Sequence, residues 1–475
     1  MSYQRLSNWK LICFSSPAIP IASLGLPLTV FLPQYYEGSM GLSLATVGTV
    51  FLLARLWDVI TDPMMGVLSD RFPTRWGRRR HWIVLSVPLL LLSGYMIYFP
   101  SGEITALYLF GWLFVLYVGW TMLTLSHMSW GAELDMDYHE RSRIQGFREG
   151  FLVAGTPLIM IAAILSVSPE AAKVVQSEQS IQAIGIFFLV LLPIAVALAV
   201  SQVGEPFKHD LKVREPSSDG LWQTIIAGIK PLRRNRALLL LVTCDFFSGF
   251  SGAALGTLYL YEVEFVWQLG DLKYALLLVY FVAGVLFVPV ILKLAKILGK
   301  AKAACCAAVF NVVMTPFILL LPPGVTWIYV IALIIMGVNV GSMAVLYRGM
   351  MGDVGDVDEL ETGERRTGLF FSMLTLSQKI GAAMAVGVMF WILDSVGFSS
   401  KGDNTETALT GLALLFVFVP VVCNLIVAFF MWRFPIDKAR QEEMRAEIDA
   451  RRADVLSSEI HAVEARESEQ RVPEV

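Results

Sequence analysis

The sequence predicts an all-α membrane protein of twelve spanning helices, and three observations predict it. The first is composition: of 475 residues, 56% are hydrophobic and 16% charged, and the mean hydropathy is +0.63. Soluble domains carry about a quarter charged residues, so this chain has too little polar surface to be dissolved by water. The second is spacing. A helix needs about 20 apolar residues to cross a bilayer. Twelve such runs lie at 11–35, 44–69, 82–100, 104–129, 150–168, 182–202, 238–262, 274–296, 302–322, 325–349, 369–396 and 408–433. The third is that charge is confined mostly to the stretches between these runs, as expected when lipid is the solvent.

The first run follows Met1 to Lys10, is too long for a signal peptide and lacks a clear small-residue cleavage site. It carries Pro17, Pro20 and Pro27, which predict a broken or kinked helix beside a cavity, where neighbours can satisfy the freed carbonyls. Basic residues orient the rest. Arg71, Arg75, Arg78, Arg79 and Arg80 crowd the connection after the second run, and Lys208, Lys212, Arg214, Lys230, Arg233, Arg234 and Arg236 follow the sixth. Alternate connections hold little beyond Lys173, Lys273 and Lys401, so both termini are expected in the cytoplasm, with an even number of spans.

The polar stretch 204–236 reads as a cytoplasmic linker between an N-terminal six-helix half, 1–203, and a C-terminal six-helix half, 237–433. A weak repeat agrees with this division: Asp62-Pro63 followed by Gly77-Arg78-Arg79-Arg80 matches Val288-Pro289 followed by Gly299-Lys300-Ala301-Lys302. Residues 434–475 form a charged cytoplasmic tail, rich in opposite charges three or four apart, which reads as a solvated helix or a disordered segment. Five cysteines without CxxC spacing or histidine neighbours predict neither disulfides nor a metal centre. A net charge of −3 excludes a nucleic-acid partner. The absence of HExxH, GxSxG or a Cys/His constellation excludes the common membrane hydrolases, and no cofactor is implied.

Charges inside the apolar runs carry the chemistry. In "ARLWDVITDPMMGVLSD", Arg55, Asp58 and Asp62 share a helix face. A carboxylate at mid-membrane costs about 3 kcal/mol, so two on adjacent turns require a cation. Oxygen ligands suit Na⁺, and the same pair could share a proton, so the residues alone leave Na⁺ and H⁺ open. A buried salt bridge among the three is the structural alternative. Lys379, in "TLSQKIGAAMAVG", lacks an acidic neighbour in sequence and is expected to pair with the helix 2 carboxylates across the halves when no ion is bound; the alternative is snorkelling to an interface. Asp70, Arg75 and Arg78 on one side, and Asp353, Asp356, Asp358 and Glu359 on the other, could form a cytoplasmic gate between halves. On the fourth run, Trp120, Thr124 and His127 are candidates for solute binding, with His127 also reading as an interior hydrogen-bonding residue, and Trp130 reads as an interface tryptophan.

Three segments, "GLSLATVGTVFLLARLWDVITDPMMGVLSDRFPTRWGRRRHWI", "WTMLTLSHMSWGAEL" with "ERSRI", and "MGDVGDVDELETGERRTGLFFS", resemble the glycoside-pentoside-hexuronide cation symporters, the melibiose-permease-like branch of the major facilitator superfamily. The likeness covers nearly all of 10–433. It implies a major facilitator fold with two halves around a central cavity, and alternating access. It places the family's cation-binding aspartates on Asp58 and Asp62, its helix 4 cation-site threonine on Thr121, its helix 11 lysine on Lys379 and its helix 2 arginine on Arg55. It departs where the family grips a galactoside: the helix 1 Lys-Asp pair falls on Ile21-Ala22, and a helix 4 aspartate on Thr124. The resemblance implies cation-coupled symport, by a monomer in the lipid bilayer of a bacterial inner membrane, of a small solute such as a sugar, glycoside or uronide. A lipid-like or other amphiphilic solute is the alternative that the lost charges would suit.

Overall fold

The structure is a computed structural model. It describes residues 6–437, apart from 73, 75, 135–137, 167–172, 205–234, 339–341, 363–366, 401 and 403, and a few positions up to 447. The first span, α1, runs Asn8–Gly38. Its prolines divide it as expected: Asn8–Ser15, Ala18–Gly25, a π-helical turn at Pro27–Phe31, and Leu32–Gly38. Each proline removes an N–H and crowds the preceding turn, so the helix resets rather than continuing.

The remaining helices are α2 (Leu44–Arg71), α3 (Arg80–Tyr98), α4 (Ala106–Glu133), α5 (Tyr138–Leu165) and α6 (Lys173–Gln202), then α7 (Arg236–Tyr261), α8 (Lys273–Leu298), α9 (Lys300–Met314), α11 (Thr367–Ser395) and α12 (Glu406–Trp432). The tenth span, α10, is Thr326–Gly337 followed by Ser342–Thr362. Side-chain caps start several of them: Ser43, Thr105, Asn235 and Thr405 each accept from the backbone N–H three residues on. Among the described residues, eleven helices are long and apolar enough to cross a bilayer, and Thr326–Gly337 is the shorter apolar start of the twelfth.

Three helices exceed their apolar runs, the sixth by starting at Lys173, ahead of its run at 182–202. The fifth begins at Tyr138 and the tenth continues to Thr362, because polar turns bearing Glu140, Arg143 and Arg148, or Asp353 and Asp356, extend each helix. The proposed repeat has a structural counterpart. Pro63 lies inside α2 and Pro289 inside α8, and Gly77 (φ 120°) and Gly299 (φ 89°) each hold a left-handed backbone conformation just before the next helix. Side chains are strained at such angles, which is why both basic connections turn on glycine. The start of the tail differs from expectation. Phe434, Ile436 and Met444 are buried against the C-terminal half, and Gln441 Nε2 donates to Asp353 Oδ1 at 2.6 Å.

Small residues let helices approach where lipid offers no hydrophobic drive to pack them. A Cβ at Gly249 on α7 would lie 2.6 Å from the Gln378 carbonyl oxygen on α11, and one at Gly381 would meet the Phe246 carbonyl. Between the halves, a Cβ at Gly48 on α2 would lie 2.8 Å from Phe390 Cβ, and one at Gly387 on α11 would lie 3.0 Å from Leu52 Cδ2. Nearby, Trp391 Nε1 donates to Thr49 Oγ1 at 3.1 Å, Tyr261 donates to Glu37 Oε2 at 3.2 Å, and the Phe31 and Tyr274 rings meet edge to face at 5.4 Å. These cross-half contacts sit at the end of the bundle opposite the first and last described residues. Nearer the terminal end, Arg348 is exposed.

The α7–α11 contact is rigid because its partner atoms are backbone. Gly249→Val should therefore lower the melting temperature of the purified protein, by overpacking worth about 1–3 kcal/mol. Gly252→Ala, with nothing within 4 Å of the added carbon, should leave the melting temperature unchanged.

Candidate functional site

Helix α2 carries Arg55, Asp58 and Asp62 one turn apart on a common face, immediately before Pro63. Helix α4 supplies Thr121, whose hydroxyl lies 2.9 Å from Asp58 Oδ1 and 3.2 Å from Asp62 Oδ1. That hydroxyl has one proton to share between two carboxylates, so its own lone pairs and their remaining ones are left to accept a cation. Helix α11 supplies Lys379 from the other half. Its Nζ donates to Asp58 Oδ2 at 2.8 Å and to Asp62 Oδ2. Asp58 and Thr121 are buried, and Lys379 is half-exposed between the halves.

Arg55 does not join this cluster. Its Nη2 donates to Thr29 Oγ1 on α1, and its Nε has no partner among the described residues. The compensating charge thus comes across the halves rather than from the same helix. Two carboxylates and one ammonium leave one negative charge in excess. An oxygen set of this kind, two carboxylates and a hydroxyl, fits an alkali cation or a proton. Among the described residues, no group of three or more His, Cys, Asp or Glu could hold a metal ion.

The helix 4 candidates separate. Trp120 and Thr124 are half-buried, and Trp120 Nε1 and Thr124 Oγ1 lack hydrogen-bond partners among the described residues. His127 is fully buried: Nε2 lies 2.7 Å from the Phe14 carbonyl, which only accepts, so this nitrogen carries the proton and donates. The Phe14 ring lies 4.6 Å from it. His127 therefore ties α4 to α1. Trp130 is also fully buried, edge-on to Phe14, and is not an interface residue.

For the cytoplasmic gate, Arg75 and the side chains of Asp70 and Glu359 lie outside the described residues. Asp353 accepts from Lys300 at 2.8 Å, within the C-terminal half. Arg79, in the same basic connection as Arg78, pairs with Glu133 at 2.8 Å and donates to Ser69, within the N-terminal half. Asp356 is half-buried on α10. Three charged residues escaped the reading of the sequence: Asp245, buried on α7; Arg148, buried on α5; and Arg348 on α10. A signal existed, since each falls inside or beside an apolar run, where charge is costly.

Residues 13–438 match the model of a family described as MFS/sugar transport protein. The chain belongs to this family. It is 26% identical to the putative glycoside/cation symporter YagG of Escherichia coli, over 90% of this chain and 91% of that one. It is 24% identical to the sodium-dependent lysophosphatidylcholine symporter 1 of Gallus gallus, over 98% and 93%. Its fold matches the crystal structure of a D-xylose-proton symporter with a TM-score of 0.61 at 14% identity, covering 90% of this chain and 96% of that one. The protein is thus an integral membrane transporter of the glycoside-pentoside-hexuronide type within the major facilitator superfamily, and not an enzyme.

In this transporter family member, Lys379→Gln removes the ammonium and leaves the buried Asp58 and half-buried Asp62 without a counter-charge. The variant should melt lower than the parent in sodium-free buffer at neutral pH, by about 1–3 kcal/mol once partial exposure is allowed for. If an ion replaces the lysine, added NaCl should recover more stability in the variant than in the parent, with choline chloride as the ionic-strength control.

Proposed function

We propose that the protein is a secondary active symporter that couples a cation, Na⁺ or H⁺, to uptake of a sugar, glycoside or uronide across a bacterial inner membrane. The observation that carries the reading is Lys379 bonded to both Asp58 and Asp62 from the opposite half. A cation bound by the two carboxylates and Thr121 would compete with the ammonium for the same oxygens, so ion binding would loosen one tie between the halves.

With the basic connections on the cytoplasmic side, the end closed by Trp391–Thr49 and Tyr261–Glu37 faces outward. The state is then inward-facing, with the Lys379 ammonium on both carboxylates. The gate among Asp70, Arg75, Arg78, Asp353, Asp356 and Glu359 would form only when the protein opens outward, which accords with Lys300 holding Asp353 here. Coupling follows from linkage: ion and solute each favour the same occluded state, so each raises the affinity for the other.

A sugar is favoured over an amphiphile by the polar groups Arg55, Trp120, Thr124, Arg148 and Arg348 placed on helices α2, α4, α5 and α10. Indole faces and unpartnered donors suit a hydroxylated solute, whereas a lipid tail needs a continuous apolar slot. The lysophosphatidylcholine symporter among the relatives keeps that second reading open to the same transport assay.

Purified protein in proteoliposomes tests the proposal. Asp62→Asn and Asp58→Asn should abolish gradient-driven accumulation of a transported glycoside while leaving downhill exchange less affected. Cation stimulation that persists unchanged in the double variant would refute the ion site.

A further inference from the structure

Helices α3 and α6 pack closely at one end and part at the other. At the Tyr98 end, a Cβ added to Gly185 on α6 would lie 2.5 Å from Tyr98 Cβ on α3, and one added to Gly94 would lie 3.0 Å from Phe188 Cε1. Toward Arg80 a groove of about 740 Å³ opens between them. Its walls come from one face of each helix: Val84, Val87 and Pro88 on α3, and Pro193, Val196 and Ala197 on α6. These side chains are short and leave the gap unfilled. The volume falls in the range of roughly 300–1,000 Å³ found for small-molecule sites.

The apolar length of the groove faces lipid. Beside it, Leu85 on α3 and Ile194 and Leu198 on α6 are large and exposed, as suits a surface that meets acyl chains. Pro88 and Pro193 lie about 12–13 Å in from the ends of their helices, at 1.5 Å per residue. That is most of the depth of one leaflet, about 15 Å of hydrocarbon.

The mouth of the groove is polar and basic. Trp76, Arg80 and Ser201 line it, and Trp76 is 63% exposed, where an indole at headgroup level belongs. Arg80 Nη2 donates to the Val200 carbonyl in the last turn of α6, which holds the guanidinium at the mouth. A carbonyl is neutral and cancels none of its charge. A role in capping α6 accounts for that bond but not for the groove beside it. A guanidinium fork suits a phosphate, and the apolar walls suit the chain attached to one.

We propose that the groove between α3 and α6 binds an anionic phospholipid, with its phosphate at Arg80 and one acyl chain running along Val84, Val87, Val196 and Ala197. The chain supplies the contacts that the short side chains leave unmade. The site does not depend on symport. The orientation proposed above adds only that the lipid comes from the cytoplasmic leaflet, whose anionic headgroups attract basic segments.

Native mass spectrometry of the delipidated full-length protein tests the site, with phosphatidylglycerol, phosphatidylcholine of the same chains and glycerol 3-phosphate as probes. The parent should retain one phosphatidylglycerol about 5-fold more tightly than phosphatidylcholine, the worth of one basic side chain at a membrane surface. Glycerol 3-phosphate alone should not displace it, since the chain contributes most of the binding. Arg80→Gln should abolish the headgroup preference while a lipid is still retained, and Arg80→Lys should restore part of it. Ala197→Trp, at an exposed position, should fill the groove and weaken both lipids about 10-fold, the worth of two methylenes of buried chain. Leu85→Trp, outside the groove, should weaken neither.

Equal retention of the two lipids by the parent would overturn the proposal, as would a preference for phosphatidylglycerol that survives in Arg80→Gln. So would displacement by glycerol 3-phosphate, which would make the site one for a free phosphate. Loss of lipid in Ala197→Trp no greater than in Leu85→Trp would place the lipid elsewhere, and a dimer that Ala197→Trp dissociates would make the groove an interface between two copies of the chain.

Discussion

The ammonium of Lys379 between the carboxylates of Asp58 and Asp62 is the contact on which the rest of the bundle is arranged. Two carboxylates one turn apart on one helix repel, and inside a bundle the repulsion is not screened by water. A positive charge must reach them from elsewhere. It arrives on α11, and α11 can come close enough only because Gly48 on α2 and Gly387 on α11 leave room at the crossing. Gly249 and Gly381 do the same for α11 against α7. The depth of the lysine is therefore set by packing of small residues, and the charge pairing and the helix approach support each other.

The spans were legible in the sequence because hydropathy is the direct expression of the solvent. So were the broken first helix, from Pro17, Pro20 and Pro27, and the repeat, from two glycine-basic connections after proline-bearing helices. What composition hides is the polar end of a helix. Helix α5 begins at Tyr138 and α10 runs to Thr362 because a helix needs apolar residues only where it meets lipid, and its hydrogen bonds continue into water. The docked start of the tail was missed for a related reason: Phe434, Ile436 and Met444 are too few and too widely spaced among charges to stand out.

At the site, Asp58, Asp62 and Lys379 could be named in advance because each is a charge in an apolar run. The pairing of Lys379 with the two carboxylates across the halves follows from the same reasoning, whereas the partner of Arg55 does not. Arg55 is nearer in sequence to the carboxylates than Lys379 is, yet it bonds Thr29, since the direction of a side chain depends on which helix packs against its face. Trp130 reads as an interface residue and His127 as either a solute contact or an interior hydrogen-bonding residue, and both are core, because the Phe14 ring on α1 packs against both. No local pattern reports such a contact between distant segments.

The geometry also separates what a proton and a sodium ion would do. A proton on one carboxylate would neutralise that group alone. The other would keep its bond to Lys379, and α2 and α11 would remain tied. A sodium ion lying between both carboxylates and Thr121 would compete with the ammonium at both oxygens and release α11 altogether.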